Sequence, residues 1–232
     1  MIIKKKILVT GGSSGLGRSL AIKLAKYNKV FCISRSKIKE KNITSSKCNF
    51  ENLQDIKKKL KKIIKTKKLD YVFLNAGLLG NIKKIDKLNS KELIKIFKVN
   101  FLANKEIIDF IIFNKIKTKL IIAISSGAAL SPKFGWYMYC GSKSALKFLI
   151  ESYAVEYKNI KFINLTPGLV KTKMQKQICK INEKKFFSVK KFIKLNKQNQ
   201  VPSPDLVADN ILNKINILKK LKSGSYIDIR KN

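Results

Sequence analysis

Ile7-Leu8-Val9-Thr10-Gly11-Gly12-Ser13-Ser14-Gly15-Leu16-Gly17 is the stretch whose reading decides the fold. An apolar run too short for a helix passes through a glycine-rich turn into residues 16–27, where apolar side chains recur at helical spacing. Glycines let a backbone turn tightly and approach a bulky anion. The helix start offers free N–H groups and the positive end of its dipole. The stretch therefore reads strand, loop, helix, with a pyrophosphate as the natural guest of Gly11, Ser13, Ser14, Gly15, Leu16 and Gly17. The same letters nearly spell a nucleoside-triphosphatase loop, with Gly17-Arg18-Ser19 where Gly-Lys-Ser/Thr is expected. Arginine replaces that lysine, and no aspartate closes a later strand as a magnesium ligand would. This counts against the triphosphatase reading without removing it.

Outward from the loop, the same alternation continues. Further apolar runs lie at 30–34, 71–75, 120–125, 162–166 and 226–229, nearly continuous in character, as strands covered on both faces must be. Amphipathic stretches at 53–64, 90–113, 139–157 and 204–221 separate them. Strand alternating with helix predicts an α/β fold: one doubly wound parallel sheet with helices on both faces, since each crossover needs a helix. Another short strand is expected near 47–50. Residues 172–202 break the rhythm and carry Phe186, Phe187 and Phe192 among lysines, which suits a helical insertion on a single domain spanning 1–232.

Composition narrows the function classes. The net charge is +37, yet only Arg18, Arg35 and Arg230 among 51 basic residues are arginine, and the lysines are spread along the whole chain. Guanidinium is the usual reader of phosphate and guanine, so the charge reads as a solvated surface rather than a specific nucleic-acid footprint. With no histidine, and with Cys32, Cys48, Cys140 and Cys179 far apart, neither a metal site nor a Ser-His-Asp mechanism is expected. Ile7-Leu8-Val9 is too short a core for a signal peptide, and no apolar stretch approaches the ~20 residues of a membrane span. A reduced, cytoplasmic protein without membrane partners is the expectation.

Tyr139-Cys140-Gly141-Ser142-Lys143 places a phenol and an ammonium four residues apart, on one face of a helix. A charge ~4 Å away at an effective dielectric near 20 is worth roughly 4 kcal/mol, which would draw the phenol's pKa from ~10 toward neutrality. Such a tyrosine can protonate a carbonyl oxygen or take the proton back. Tyr157 and Lys161 repeat the spacing, and each tyrosine has a serine thirteen residues upstream, Ser126 and Ser144. The contexts separate them. Ser126 ends an apolar run, at the carboxyl lip where open α/β sheets bind ligands. Ser144 lies in the same helix as Tyr157, and Lys161 falls beyond a break. The first set can converge.

These motifs together resemble the short-chain dehydrogenase/reductase family. Thr10 to Gly17, Asn75-Ala76-Gly77 after a strand, Asn100, Ser126, the Tyr139/Lys143 pair, and Pro167-Gly168 with Val170 and Thr172 occur in that family's order across the whole chain. Within the family the chain is most similar to the benzil reductase and sepiapterin-reductase-like group, through Ser125 to Ala129, Gly135-Trp136 and Thr172 to Gln175. The resemblance implies a Rossmann-type fold and hydride transfer between a nicotinamide cofactor and a carbonyl or alcohol. Tyr139 would be the acid/base, and Ser126 would orient the substrate oxygen. Lys143 would hold the nicotinamide ribose, and Asn100 would anchor a proton-relay water. The resemblance also implies a homodimer or other homo-oligomer. One departure is Asn49, where many members carry an adenine-contacting aspartate; asparagine keeps a hydrogen-bonding oxygen there.

After the second strand the chain reads Ile33-Ser34-Arg35-Ser36, with no acid for a ribose 2′-hydroxyl and a guanidinium suited to a 2′-phosphate. NADP(H) is thus favoured over NAD(H), although Ser14 stands where a second basic residue is usual. Phe134, Trp136, Met174, Phe186 and Phe187 are candidates for the pocket mouth, implying an apolar or aromatic ketone or diketone. The same aromatics suit plain packing of the insertion on the body. An NAD(H)-dependent alcohol dehydrogenase and a non-catalytic NADP(H)-binding regulator remain as alternatives.

Overall fold

The apolar runs become the strands of one parallel sheet in a computed structural model that describes residues 2–231. These are β1 (Lys6–Thr10), β2 (Lys29–Ser34), β3 (Ile43–Lys47), β4 (Lys68–Leu74), β5 (Lys117–Ile124), β6 (Lys161–Thr166) and β7 (Tyr226–Asp228). Their order is β3-β2-β1-β4-β5-β6-β7, with every neighbouring pair parallel. Winding reverses between β1 and β4, which opens a crevice beyond the carboxyl ends of the strands.

The helices are α1 (Gly15–Ala25), α2 (Leu53–Ile63), α3 (Ser90–Phe97), α4 (Ala103–Phe113), α5 (Tyr137–Glu156), α6 (Lys173–Cys179), α7 (Lys190–Lys197), α8 (Pro204–Asn213) and α9 (Ile215–Lys220). Alternate strand residues face opposite ways, so each face of the sheet has its own core. On one face Val72, Ile121 and Phe162 pack under Ile56 and Leu60 of α2, Ile107 of α4, and Leu146 and Ile150 of α5. On the other, Ile7, Phe73 and Ile122 pack under Leu20 of α1, Ile211 of α8 and Leu218 of α9. This is the doubly wound, Rossmann-type architecture.

Three expectations are corrected. The strand expected at 47–50 lies at Ile43–Lys47, an edge strand rich in serine, while Cys48 and Phe50 are buried in the loop that follows. The single helix expected over 90–113 is interrupted by a wide π turn at Lys98–Leu102. That turn is built around Asn100, whose side chain is fully buried and bonded outside its own helix. The helix expected over 204–221 breaks at Lys214, whose ammonium donates to the Ile229 carbonyl.

Candidate active site

The crevice holds a cleft of about 470 Å³ that runs from Arg35 and Asn49 at one end to Met174 and Phe192 at the other. Its floor is set by the tips of β1 and β4. Thr10 Oγ1 accepts from the N–H groups of Asn75 (2.9 Å) and Ala76 (3.0 Å), and Asn75 Nδ2 donates to the Thr10 carbonyl (3.0 Å). Gly11 has a left-handed φ of +68°, and a Cβ there would come within 2.9 Å of Ala76 Cα. At Gly17 a Cβ would meet Asn75 Nδ2 at 2.3 Å and the Gly11 carbonyl at 2.5 Å, so only glycine lets α1 start this close to the strand tips. Ser14 precedes α1 without a side-chain cap, which leaves the helix's first N–H groups for a guest. A glycine cradle beneath an uncapped helix start fits a dinucleotide pyrophosphate.

Gly11, Ser13, Ser14, Gly15, Leu16, Asn75, Ala76, Gly77, Pro167, Gly168, Val170 and Thr172 line the cleft as the sequence predicts. Gly17 and Ser34 do not. Gly17 lies behind the loop, and Ser34 is buried, its hydroxyl donating to the Ser36 carbonyl (2.7 Å), which shapes the turn presenting Arg35. Arg35 is exposed at the rim and has no ion pair among the described residues. The other two arginines are engaged: Arg18 by Glu40 (3.3 Å) and Arg230 by Asp228 (2.8 Å). Asn49 lines the same end, with its Oδ1 accepting from the Glu51 N–H (3.1 Å).

In the middle of the cleft, Tyr139 and Lys143 project from the first half of α5 toward the end of β5, where Ser126 sits. Ser126 opens a short turn, Gly127–Ala129, and its hydroxyl accepts from the Ala128 N–H (3.2 Å). Lys143 is the only buried lysine among the described residues. Its ammonium donates to the Ile124 carbonyl (2.8 Å) and lies 5.9 Å from the Tyr139 ring centre. Burial pushes the Lys143 pKa down to about 8. Burial pushes Tyr139 up to about 12, against the downward pull of its bond with Ser126. The expectation that the ammonium brings the phenol toward neutrality is therefore corrected. Loss of hydration is the largest influence on the phenol, the Ser126 bond opposes it, and the Lys143 ammonium is not among the groups that shift it.

Asn100 stands outside the cleft and braces it. Its Oδ1 accepts from the Leu78 N–H (2.7 Å), and its Nδ2 donates to the Leu78 carbonyl (2.8 Å) and to Ser142 Oγ (2.9 Å). Ser142 in turn donates to the Tyr139 carbonyl (2.9 Å). The chain after β4 and the helix carrying Tyr139 are thus tied through one side chain. Tyr157 and Lys161 lie far from the cleft, at the end of α5 and the start of β6, as the sequence contexts imply.

The aromatic candidates divide. Met174 lines the cleft, whereas Trp136, Phe186 and Phe187 do not. Trp136 is buried behind Tyr139, Phe186 is half-buried against the same apolar cluster with its ring tilted on Phe134, and exposed Phe187 stacks with Phe134 on the outer side of the insertion. Phe192 lines the cleft instead, together with Leu79, Val99 and Ile178. Glu51 and Lys95, paired at 3.0 Å, line its other end. Sequence reasoning gave none of these as pocket residues. For Phe192 the signal was its place in the aromatic insertion; the Glu51–Lys95 pair, 44 residues apart in the chain, carried none.

A glycine cradle at the switch point of a doubly wound sheet, beside a buried lysine and tyrosine and a half-buried serine, defines a class: dinucleotide-binding oxidoreductases. The family model for short chain dehydrogenases matches residues 5–183, and the chain belongs to that family. It is an oxidoreductase of carbonyl and alcohol groups that binds a nicotinamide cofactor. It is 27% identical to the benzil reductase ((S)-benzoin forming) of Bacillus subtilis, over 96% of this chain and 97% of that one. It is 30% identical to the benzil reductase ((S)-benzoin forming) of Bacillus cereus, over 89% and 92%. Among solved structures it superposes on the KRED1-Pglu enzyme with a TM-score of 0.86 and 25% identity, covering 97% of this chain and all of the other.

Proposed function

We propose that this protein reduces a ketone or diketone to an alcohol with NADPH, using Tyr139 as the proton donor. The observation that carries the reading is the buried Tyr139 phenol in a cleft it shares with Ser126 and the one buried lysine. When bound, the reduced nicotinamide supplies the hydride. Tyr139 gives its proton to the carbonyl oxygen as negative charge develops there, and the Ser126 hydroxyl orients that oxygen. Lys143 keeps a positive charge beside the phenol at neutral pH, since its pKa of about 8 lies above 7. Its anchor on the Ile124 carbonyl fixes the ammonium. Asn100 acts through Ser142 and Leu78 as a positioning residue.

A phenol held near 12 is the competent form for reduction. Oxidation of an alcohol needs the phenolate, which burial disfavours in the free protein. Arg35 supports NADP(H): it stands at the cleft rim without an ion pair among the described residues, and no carboxylate directly follows β2 to take a ribose 2′-hydroxyl. The benzil reductase relatives and an apolar substrate end of Leu79, Met174, Ile178 and Phe192 support aryl ketones and diketones as substrates. The test is a carbonyl panel followed by loss of NADPH absorbance, with aryl diketones, simple aryl ketones, quinones and aliphatic ketones. Turnover of the aryl members is expected. Binding of NADPH with no turnover of any carbonyl would overturn the proposal in favour of a cofactor-binding regulator.

A further inference from the structure

Trp136 is the only tryptophan of the chain, and its position joins the proton donor to the substrate wall. It is buried just before α5, and its ring meets Tyr139 edge-on, with centres 6.1 Å apart and planes at 65°. On Phe192 of α7 it stacks, with centres 5.2 Å apart and planes at 29°. The indole is fixed by a hydrogen bond from Nε1 to Ser188 Oγ (3.0 Å), and Ser188 donates to the Phe134 carbonyl (2.7 Å). Phe192 is held from below as well, because its carbonyl accepts from Gln175 Nε2 (3.3 Å) and Gln175 is itself buried. One face of the Phe192 ring is covered by the indole, and the residue lines the cleft beside Met174 and Ile178.

Resting on the carbonyl-reductase reading, we propose that Phe192 determines specificity by stacking on an aryl group bonded directly to the carbonyl carbon. Trp136 is the positioning residue that sets Phe192 at a fixed distance from Tyr139. An apolar wall of Met174 and Ile178 alone would accept a saturated ring as readily as an aromatic one. A second aromatic face distinguishes them, because offset stacking adds an attraction beyond buried area, worth up to about tenfold in binding.

The test compares a phenyl ketone with the cyclohexyl ketone of the same skeleton, as the kcat/KM ratio with NADPH. Conjugation alters the intrinsic reactivity of the phenyl ketone, so the quantity read is the change of this ratio between wild type and variants. Phe192→Leu is expected to lower the phenyl/cyclohexyl ratio about tenfold, whereas Phe192→Tyr keeps it. Trp136→Leu lowers it too, and Trp136→Phe, which preserves a stacking ring, restores most of it. Phe187→Leu, on the exposed outer side of the insertion, leaves it unchanged. A Phe192→Leu enzyme that turns over both ketones at the wild-type ratio would overturn the inference. A wild type that reduces neither ketone fails the carbonyl-reductase reading itself and the inference with it. Binding gives a readout without turnover: in Tyr139→Phe, an aryl diketone quenches the single tryptophan, and adding Phe192→Leu weakens that binding. Equal quenching at equal concentration in both backgrounds would also overturn it.

Discussion

The two ends of the cleft are built by different means. At the dinucleotide end, close backbone approach does the shaping: Gly11 and Gly17 let two strand tips and a helix start come together, and the Thr10 hydroxyl takes the main-chain N–H groups of Asn75 and Ala76. At the substrate end, side chains on an insertion do it: Met174, Ile178 and Phe192 stand against the body, with Trp136 as the wedge between α5 and α7. Backbone constraints leave spacing rules in a sequence, because only glycine tolerates the close approach. Side-chain walls leave only composition, and several arrangements of the same aromatics satisfy it. Tyr139 sits at the seam and belongs to both ends.

The largest expected effect breaks the molecule at that seam. Tyr139→Phe removes the proton donor and should lower kcat by ~10²–10⁴, measured with a saturating aryl diketone. Tyr157→Phe, at the far end of α5, should cost little beyond any change in stability. The reverse order would move the chemistry to the other tyrosine. At the dinucleotide end, two charge-assisted bonds from Arg35 to a 2′-phosphate predict a preference for NADPH of roughly 30- to 150-fold in kcat/KM. Arg35→Ala should remove most of it by weakening NADPH alone. A wild type that prefers NADH would contradict the assignment.

Smaller effects sharpen the same contrast. The Lys143 pKa is lowered to about 8, so its charged form predominates below that value and is lost as pH rises through it. Reductive kcat/KM should be flat toward neutral pH and fall above about 8, by at most about tenfold per unit for a single group. A profile that rises through pH 8 would mean the deprotonated pair is the working form. At the substrate end, Gln177 Nε2 donates to the Gly80 carbonyl (2.9 Å), a single exposed bond strapping α6 across the cleft mouth. Residues 172–202 should exchange amide hydrogens readily when free and gain protection with cofactor and a carbonyl ligand bound. Equal protection in both states would make the insertion a fixed cover.

How much was legible follows the same division. The strands at 7–10, 120–125 and 162–166 are covered on both faces, so their apolar runs could be read directly. The edge strand Ile43–Lys47 needs cover on fewer sides and tolerates Ser45 and Ser46, so its apolar pattern is weak, whereas the buried loop residues Cys48 and Phe50 give a stronger apolar signal a few residues later. The π turn at Asn100 is dictated by bonds to Leu78 and Ser142, partners distant in the chain. Ser126, Tyr139 and Lys143 converge because fixed spacings on one strand end and one helix bring them there. Phe192 took the place in the cleft expected for Phe186 and Phe187 because helix orientation within the insertion, not aromatic content, decides which ring faces inward.

The ionisation of Tyr139 tests its assignment as a buried, protonated proton donor most directly. Ultraviolet difference absorbance of tyrosinate, titrated in wild type and in Tyr139→Phe without cofactor, isolates that residue. No tyrosinate signal attributable to Tyr139 is expected below about pH 10, since burial pushes its pKa up to about 12. A phenolate that forms between about pH 6 and 8, and disappears in Tyr139→Phe, would contradict it.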